Sequence, residues 1–380
     1  MGADESVSHP FMSDPYVTLV SPQSGTLYDD ANAYRCMPPR VSQVQQILQT
    51  GFHAVWSMDL PKSISPSPRM GHFTLFDREK NVAVIGYGLD YHDNPLNDLW
   101  RLDLSTSTWS QYKINGLTPR NGSVAVFIQR KLFIFGGYYD NRYIADFHVI
   151  DLDSLTVVRP NVIGDSPSPR IGHVMDVYDN KIIVWGGYNG DWLSDLWIYE
   201  VDQQRWRSVE SEVKGRTAAS FTNVGSSLYI FGAAKVDGLI QFNWETEKIE
   251  IIHSSGIHPC SEISAAAMTS CGKYLFLIGG KLDQKKYSLL YAFDTEKRSW
   301  FIFHIIPDGV TTNVSDGYID KNGWFMVPRT SQASLVYCEK SRCLKMFLGN
   351  PTIDPPMIYT LEMGEALAIL NQGNDVLCML

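Results

Sequence analysis

Pro169-Arg170-Ile171-Gly172-His173, then Ile183-Val184-Trp185-Gly186-Gly187, then Asp195-Leu196-Trp197, then Trp206: this stretch decides the fold, because the chain repeats it. An earlier copy runs Pro68-Arg69-Met70-Gly71-His72, Val82-Ala83-Val84-Ile85-Gly86, Asp98-Leu99-Trp100, Trp109. Between the two lies Pro119-Arg120, Leu132-Phe133-Ile134-Phe135-Gly136-Gly137, Asp146-Phe147. The glycine ending the second apolar run falls at Gly86, Gly136, Gly186, Gly232 and Gly279. Arg69, Arg120, Arg170 and Arg216 each stand a nearly constant distance before it. A unit repeating about every 50 residues cannot bury both faces alone, so neighbours must stack, and the pattern reads as the blades of a propeller.

The later units decay. The fourth has Gly232-Ala233 and carries Trp244. The fifth keeps Gly279-Gly280 and Trp300 but opens on Pro259-Cys260-Ser261. The sixth has no diglycine, and its strands are expected near Val314 to Ile319, Trp324 to Val327, Ser334 to Cys338 and Leu344 to Leu348. The tail offers three more apolar runs, Met357 to Leu361, Ala366 to Leu370 and Val376 to Leu380. His53 to Leu60, with Trp56 placed as Trp109 and Trp206 are, reads as an outermost strand whose own blade lies elsewhere. Joining it to the tail completes one repeat and leaves no free sheet edge at the seam. The expectation is all-β: seven four-stranded blades, with six as the alternative, closed by pairing the N-terminal strand with the C-terminal strands. Residues 1–51 read as a non-repetitive extension, with one short helix over Val41 to Leu48; residues 52–380 form the propeller.

Within a unit each residue type has a reason. Leu132-Phe133-Ile134-Phe135 is apolar throughout, as a strand covered on both faces must be. The glycines permit a tight turn and close approach of the next blade. The late Trp fills space between outer strands. The regular arginines Arg69, Arg120, Arg170 and Arg216, and His72 and His173, read first as groups joining blades.

Pro-Arg-x-Gly-His, an apolar strand, Gly-Gly-Tyr, Asp-Leu-Trp and a late Trp together resemble the kelch repeat. The likeness covers residues 53 to about 305 well and the remainder only by position. It implies four antiparallel strands per blade, and a binding face made by the loops between second and third strands and the loops between blades.

Those loops are unusual in content. They hold Tyr87, Tyr91 and His92; Tyr138, Tyr139, Asn141, Arg142 and Tyr143; then Tyr188, Asn189, Asp191 and Trp192. Tyr, Trp and Arg anchor interfaces. The fourth and fifth loops instead carry Lys235 and Lys281, Lys285 and Lys286. A face half aromatic and half basic suits an acidic peptide or loop of a partner protein.

The remaining features narrow the function class. The 380 residues are 44% apolar and 19% charged, with a net charge of -9, which argues against nucleic acid as the main partner. No run is long and apolar enough to span a membrane. The amino terminus is acidic rather than a secretory signal, and Gly2 with Ser6 matches a loose myristoylation pattern that no basic cluster supports. Cys36, Cys260, Cys271, Cys338, Cys343 and Cys378 form no metal-ligand pair and read as reduced thiols of a cytoplasmic protein. Cys338 and Cys343 flank a hairpin turn, where a cross-strand disulfide is the alternative. Some kelch-type propellers are enzymes, but the nine histidines show no copper or iron grouping, and His253 with His258 is a weak metal signal. The reading is a scaffold or adaptor without cofactor, metal or catalytic residues; the alternative is a small-molecule enzyme working in the central pocket.

Overall fold

A computed structural model describes residues 19–20, 27–28, 53–234, 238–283, 285–312, 318–319, 325–326 and 329–363. Every element among them is a β-strand. The helix expected over Val41 to Leu48, Gly2, and the runs from Ala366 and from Val376 fall outside the described residues.

The repeats fold as six antiparallel four-stranded blades, the fifth and sixth of which run on as one sheet because Ser299–Pro307 pairs in parallel with His53–Asp59. Blade one is Phe73–Asp77, Val82–Gly86, Leu99–Asp103 and Thr108–Tyr112. Blade two is Val124–Ile128, Lys131–Phe135, Phe147–Asp151 and Thr156–Val158. Blade three is Val174–Tyr178, Lys181–Trp185, Leu196–Glu200 and Arg205–Val209. Blade four is Ser220–Val224, Ser227–Phe231, Leu239–Asn243 and Lys248–Ile252. Blade five is Ala267–Cys271, Tyr274–Ile278, Leu290–Asp294 and Ser299–Pro307. Blade six is Ser334–Cys338, Cys343–Phe347 and Ile358–Glu362. Its fourth strand is His53–Asp59, antiparallel to Ile358–Glu362 with Trp56 opposite Leu361.

Among the described residues the blades number six, the alternative reading, rather than seven. The error came from Tyr318–Ile319 and Phe325–Met326, expected as blade strands, which instead pair with each other as a separate ribbon between blades five and six. The run from Met357 belongs to blade six itself. Thr330 stands where the first four blades have arginine, and Leu348-Gly349 fills the diglycine place, so this blade lacks the landmarks of the repeat.

Two sets of backbone hydrogen bonds tie the blades into a ring. In the first, the second residue of each diglycine position donates to the carbonyl at the arginine position of the next blade. The bonds are Gly88 to Arg120, Gly137 to Arg170, Gly187 to Arg216, Ala233 to Ile263, Gly280 to Thr330 and Gly349 to Arg69, all 2.8 to 3.0 Å. The last returns blade six to blade one. This set also corrects the register of the first unit: Tyr87-Gly88, not Gly86-Tyr87, is the diglycine equivalent. The second set joins the segments that lead into the first strand of each blade. Gly122, Gly172, Ala218, Ala265 and Gln332 each donate to the matching carbonyl of the preceding blade, beginning at Gly71. All six of these residues have φ between 54° and 67°.

Packing follows the same cycle. Six apolar clusters fill the six seams, from Phe73, Ala125 and Ile134 between blades one and two to Ile85, Trp109 and Phe347 between blades six and one. Lys131–Phe135 and its equivalents are buried on both faces because each blade is stacked between two others. The late tryptophans Trp56, Trp109, Trp206 and Trp300 are all buried in these seams. A Cβ on Gly136 would sit 2.5 Å from the Arg170 carbonyl of the next blade, so the close approach requires glycine there.

Candidate partner-binding face

One end of the ring gathers two loop sets. In blades one, two, three, five and six the loop entering the blade lies beside the loop that follows its second strand, through single bridges Met70–Leu89, Asn121–Tyr138, Ile171–Tyr188, Ser264–Lys281 and Ser331–Asn350. Every residue singled out from the sequence for partner binding lies in these loops except Lys235, which is outside the described residues.

The four arginines belong to the frame beneath this face. Arg69, Arg120, Arg170 and Arg216 are buried. Each donates to the carbonyl at its own blade's diglycine position: Tyr87, Gly136, Gly186 and Gly232. Arg69 and Arg170 also clasp Asp98 and Asp195 through both carboxylate oxygens, and Arg120 reaches Asp146 at 2.9 Å. The Asp-Leu-Trp motif is thereby explained, because Trp100 and Trp197 donate their indole N–H to those same carboxylates. Burial pushes the Asp98 and Asp195 carboxyls up. The arginine and tryptophan hydrogen bonds outweigh it and hold both below the ordinary carboxylate range. Arg216, whose side chain meets the carbonyls of Gly232 and Gly238, is lowered by burial to about 10.

Tyr87 also moves from the candidate surface into the frame. It is 1% exposed, and its hydroxyl lies 2.9 Å from His148 Nε2. Because Tyr87 fills the diglycine position, its side chain turns inward against Phe73 rather than out with the loop. His148 takes the place that Trp100 and Trp197 hold in their blades. Its Nδ1 lies 3.0 Å from Asp146 Oδ2, so Nε2 is left to accept from Tyr87. Sequence reasoning passed over His148; its position two residues after Asp146, as in Asp-Leu-Trp, was the available signal. His173 is likewise a core group, and half-buried His72 meets Ser334 Oγ of blade six at 2.8 Å. Burial, with a neighbouring arginine, lowers each to about 3.

What remains exposed is a connected aromatic ledge. Tyr138 stacks obliquely on Tyr143 across a two-residue ribbon, with ring centroids 5.2 Å apart. Tyr143 meets Tyr188 of blade three edge-on at 6.0 Å, and Tyr188 meets Trp192 at 5.4 Å. Tyr138, Tyr143 and Tyr188 are half-buried and form the base. Burial first, then the flanking Tyr188 and Tyr138 hydroxyls, raise the Tyr143 phenol. Tyr139, at 37% exposure, and Trp192, at 67%, stand above this base, beside exposed Arg142 and Asp191. In blade one Tyr91 is 64% exposed and packs on His92 at 3.8 Å. On blade five Lys281 and Lys286 face each other in a second ribbon, Lys285 is exposed, and Lys286 donates to Asn350 of blade six at 2.6 Å.

The alternative reading needed a pocket where carboxylates or histidines converge. The cavity between blades six and one is lined by Arg69, Arg329, Met346, Leu348 and Tyr359 with several prolines, and by neither carboxylate nor histidine. Among the described residues no three histidine, cysteine or acidic side chains group as metal ligands, and no helix is long and apolar enough to cross a membrane.

Residues 48–233 match the KLHDC2/KLHL20/DRC7 Kelch-repeats domain family. These residues carry kelch repeats, and the blades are arranged as a β-propeller. Similar proteins include the acyl-CoA-binding domain-containing protein 4 of Arabidopsis thaliana, 35% identical over 167 residues, 43% of this chain and 24% of that protein. The leucine-zipper-like transcriptional regulator 1 homolog of Drosophila melanogaster is 25% identical over 296 residues, 72% of this chain and 28% of its own length. Kelch domain-containing protein 2 of Bos taurus is 24% identical over 283 residues, 63% of this chain and 70% of that protein. The kelch chain thus spans about a quarter of the first two. The shared part is a propeller, a fold generally used for interaction rather than catalysis, and its matches extend to proteins of differing names and lengths.

Proposed function

We propose that this kelch propeller is a non-catalytic interaction module that receives an acidic peptide or loop of a partner protein on its loop face. The observation that carries the reading is the ledge Tyr138–Tyr143–Tyr188–Trp192, four rings in unbroken contact across two blades, with the last of them exposed and Tyr139 and Arg142 open beside them. Rigid aromatic side chains lose little conformational entropy on binding, and neighbouring rings already hold these in place. Lys281, Lys285 and Lys286 on the far side of the face supply the attraction for acidic groups.

Affinity capture from lysate with wild-type protein and with the Tyr139→Ala, Arg142→Ala double variant tests the assignment. Partners recovered by wild type should be depleted with the variant. Equal recovery by both removes the ledge as the binding site.

A further inference from the structure

Cys338 and Cys343 end the first strand and begin the second strand of blade six, directly opposite each other in the ladder. Both are fully buried, at 0% and 1% exposure, in the seam formed with Ala83, Ile85 and Trp109. The four residues between them, Glu339 to Arg342, are all exposed. The pair therefore lies one layer beneath a solvent-facing turn. Cross-strand neighbours have Cβ atoms about 4.5–5.5 Å apart, only slightly beyond the separation a disulfide needs. The short turn that joins them, with Arg342 already at φ 50°, is the segment that can absorb the difference.

From this placement we propose that Cys338 and Cys343 are a peroxide-oxidisable dithiol, a modification site that closes reversibly to a disulfide at the seam between blades six and one. The chemistry around the pair favours one order of events. Ser341 Oγ is 3.0 Å from Cys343 Sγ, and Lys345 lies two residues further along the same strand. Hydrogen bonding from Cys338 and Ser341 lowers the Cys343 thiol, whereas the same bond to Cys343, together with burial, raises Cys338. Cys343 is thus the more readily ionised of the two and is assigned the first attack.

The step balances as follows. The Cys343 thiolate attacks one oxygen of hydrogen peroxide, the O–O bond breaks, and hydroxide leaves, giving Cys343 sulfenic acid. Cys338 then attacks Cys343 Sγ. The S–S bond forms, the S–O bond breaks, and the Cys338 proton leaves with the hydroxyl as water. Two thiols are oxidised and one peroxide is reduced to two waters. Peroxide is the oxidant proposed, being small enough to reach a pair one layer beneath an exposed turn. The ring closed is small, so the disulfide constrains the unfolded chain little and remains reducible by dithiols.

Purified full-length protein is treated with graded hydrogen peroxide, quenched, and mapped by peptide mass spectrometry under non-reducing conditions. The expected result is loss of two hydrogens from the peptide or peptides bearing Cys338 and Cys343, reversed by dithiothreitol, at peroxide doses that leave Cys260 and Cys271 as thiols. In the Cys338→Ala variant, Cys343 should instead be trapped as a sulfenic acid by dimedone. The wild-type map decides even if that variant folds poorly. Oxidation of Cys260 or Cys271 ahead of the pair overturns the proposal. So does conversion of Cys343 to sulfinic acid with Cys338 still reduced.

Discussion

The amide of Gly349 donates to the carbonyl of Arg69 across 3.0 Å, joining the last blade to the first. It is the sixth member of a set whose other five join consecutive blades, so the seam is built like every other junction. The difference lies in strand origin, because the outermost strand of blade six is His53–Asp59. Its Trp56 is fully buried between blades five and six, with its ring 5.8 Å from that of Tyr359.

That makes Trp56 the side chain by which the early segment holds the late one. Trp56→Ala removes a large buried ring and leaves a cavity, at a cost of about 3–5 kcal/mol. Chemical denaturation should show a lower midpoint with the fold otherwise kept. A variant as stable as wild type would mean that the seam does not depend on this strand.

The second set of bonds between blades makes a prediction of opposite sign. Ala218 and Ala265 occupy positions that blades one to three fill with Gly71, Gly122 and Gly172, all with φ near 60°. An L-residue in that conformation costs roughly 1–2 kcal/mol relative to glycine. Ala218→Gly should therefore raise the denaturation midpoint, by up to about 1 kcal/mol once the greater freedom of glycine in the unfolded chain is counted. Gly122→Ala should lower it, because the added Cβ meets Ile171 Cβ at 3.2 Å as well as the backbone strain. If the two changes shift the midpoint in the same direction, the equivalence of these positions is wrong.

His72, His173 and His148 predict how the propeller responds to acid. Burial lowers all three, His72 and His173 to about 3. Their folded values lie below the unfolded value near 6.5, so below that pH the unfolded chain binds more protons. The stability they contribute is complete above about pH 6.5 and is lost as pH falls towards 3. His72→Gln with His173→Gln should flatten this decline in urea titrations between pH 7 and pH 4, even if it lowers stability at neutral pH. An unchanged slope would show that other groups govern the acid limb.

Much of this was legible in the chain because the kelch landmarks are contacts. Arg170 recurs before Gly186 since its guanidinium must reach that carbonyl, and Asp195 recurs since it must hold Arg170 and Trp197. Where another residue can supply the same contact, the signal vanishes. Thr330 offers the carbonyl that Arg69 offers, and Leu348 turns at φ 58° where others have glycine. Blade six therefore carries no landmark: the strands at Ser334–Cys338 and Cys343–Phe347 are where the sequence places them, but the ribbon beside them reads as two more strands of the same blade. The site failed at one point for the same reason. Tyr87 followed a glycine and read as loop, yet it fills the turn position itself. Tyr139, Arg142 and Trp192 could be placed in loops from the repeat register, but their contact along one ledge comes from the approach of two blades.

Tyr87 and Trp192 therefore separate frame from face. Tyr87→Phe removes the hydroxyl that His148 Nε2 meets and leaves a buried acceptor unmatched, at about 1–3 kcal/mol. Its ring still packs on Phe73, so the loops above keep their positions. Stability should fall while affinity for a captured partner peptide stays within about twofold of wild type, since RT ln 2 is well under 1 kcal/mol. Trp192→Ala should do the reverse. The side chain is 67% exposed, so its loss costs little in folding, whereas an aromatic anchor in an interface is worth about 2–4 kcal/mol, or roughly 30- to 1,000-fold in Kd. Calorimetric titration and denaturation on both variants read the two quantities independently. A Trp192→Ala protein that binds as wild type does, or a Tyr87→Phe protein that loses binding at full stability, would move the partner site away from the ledge.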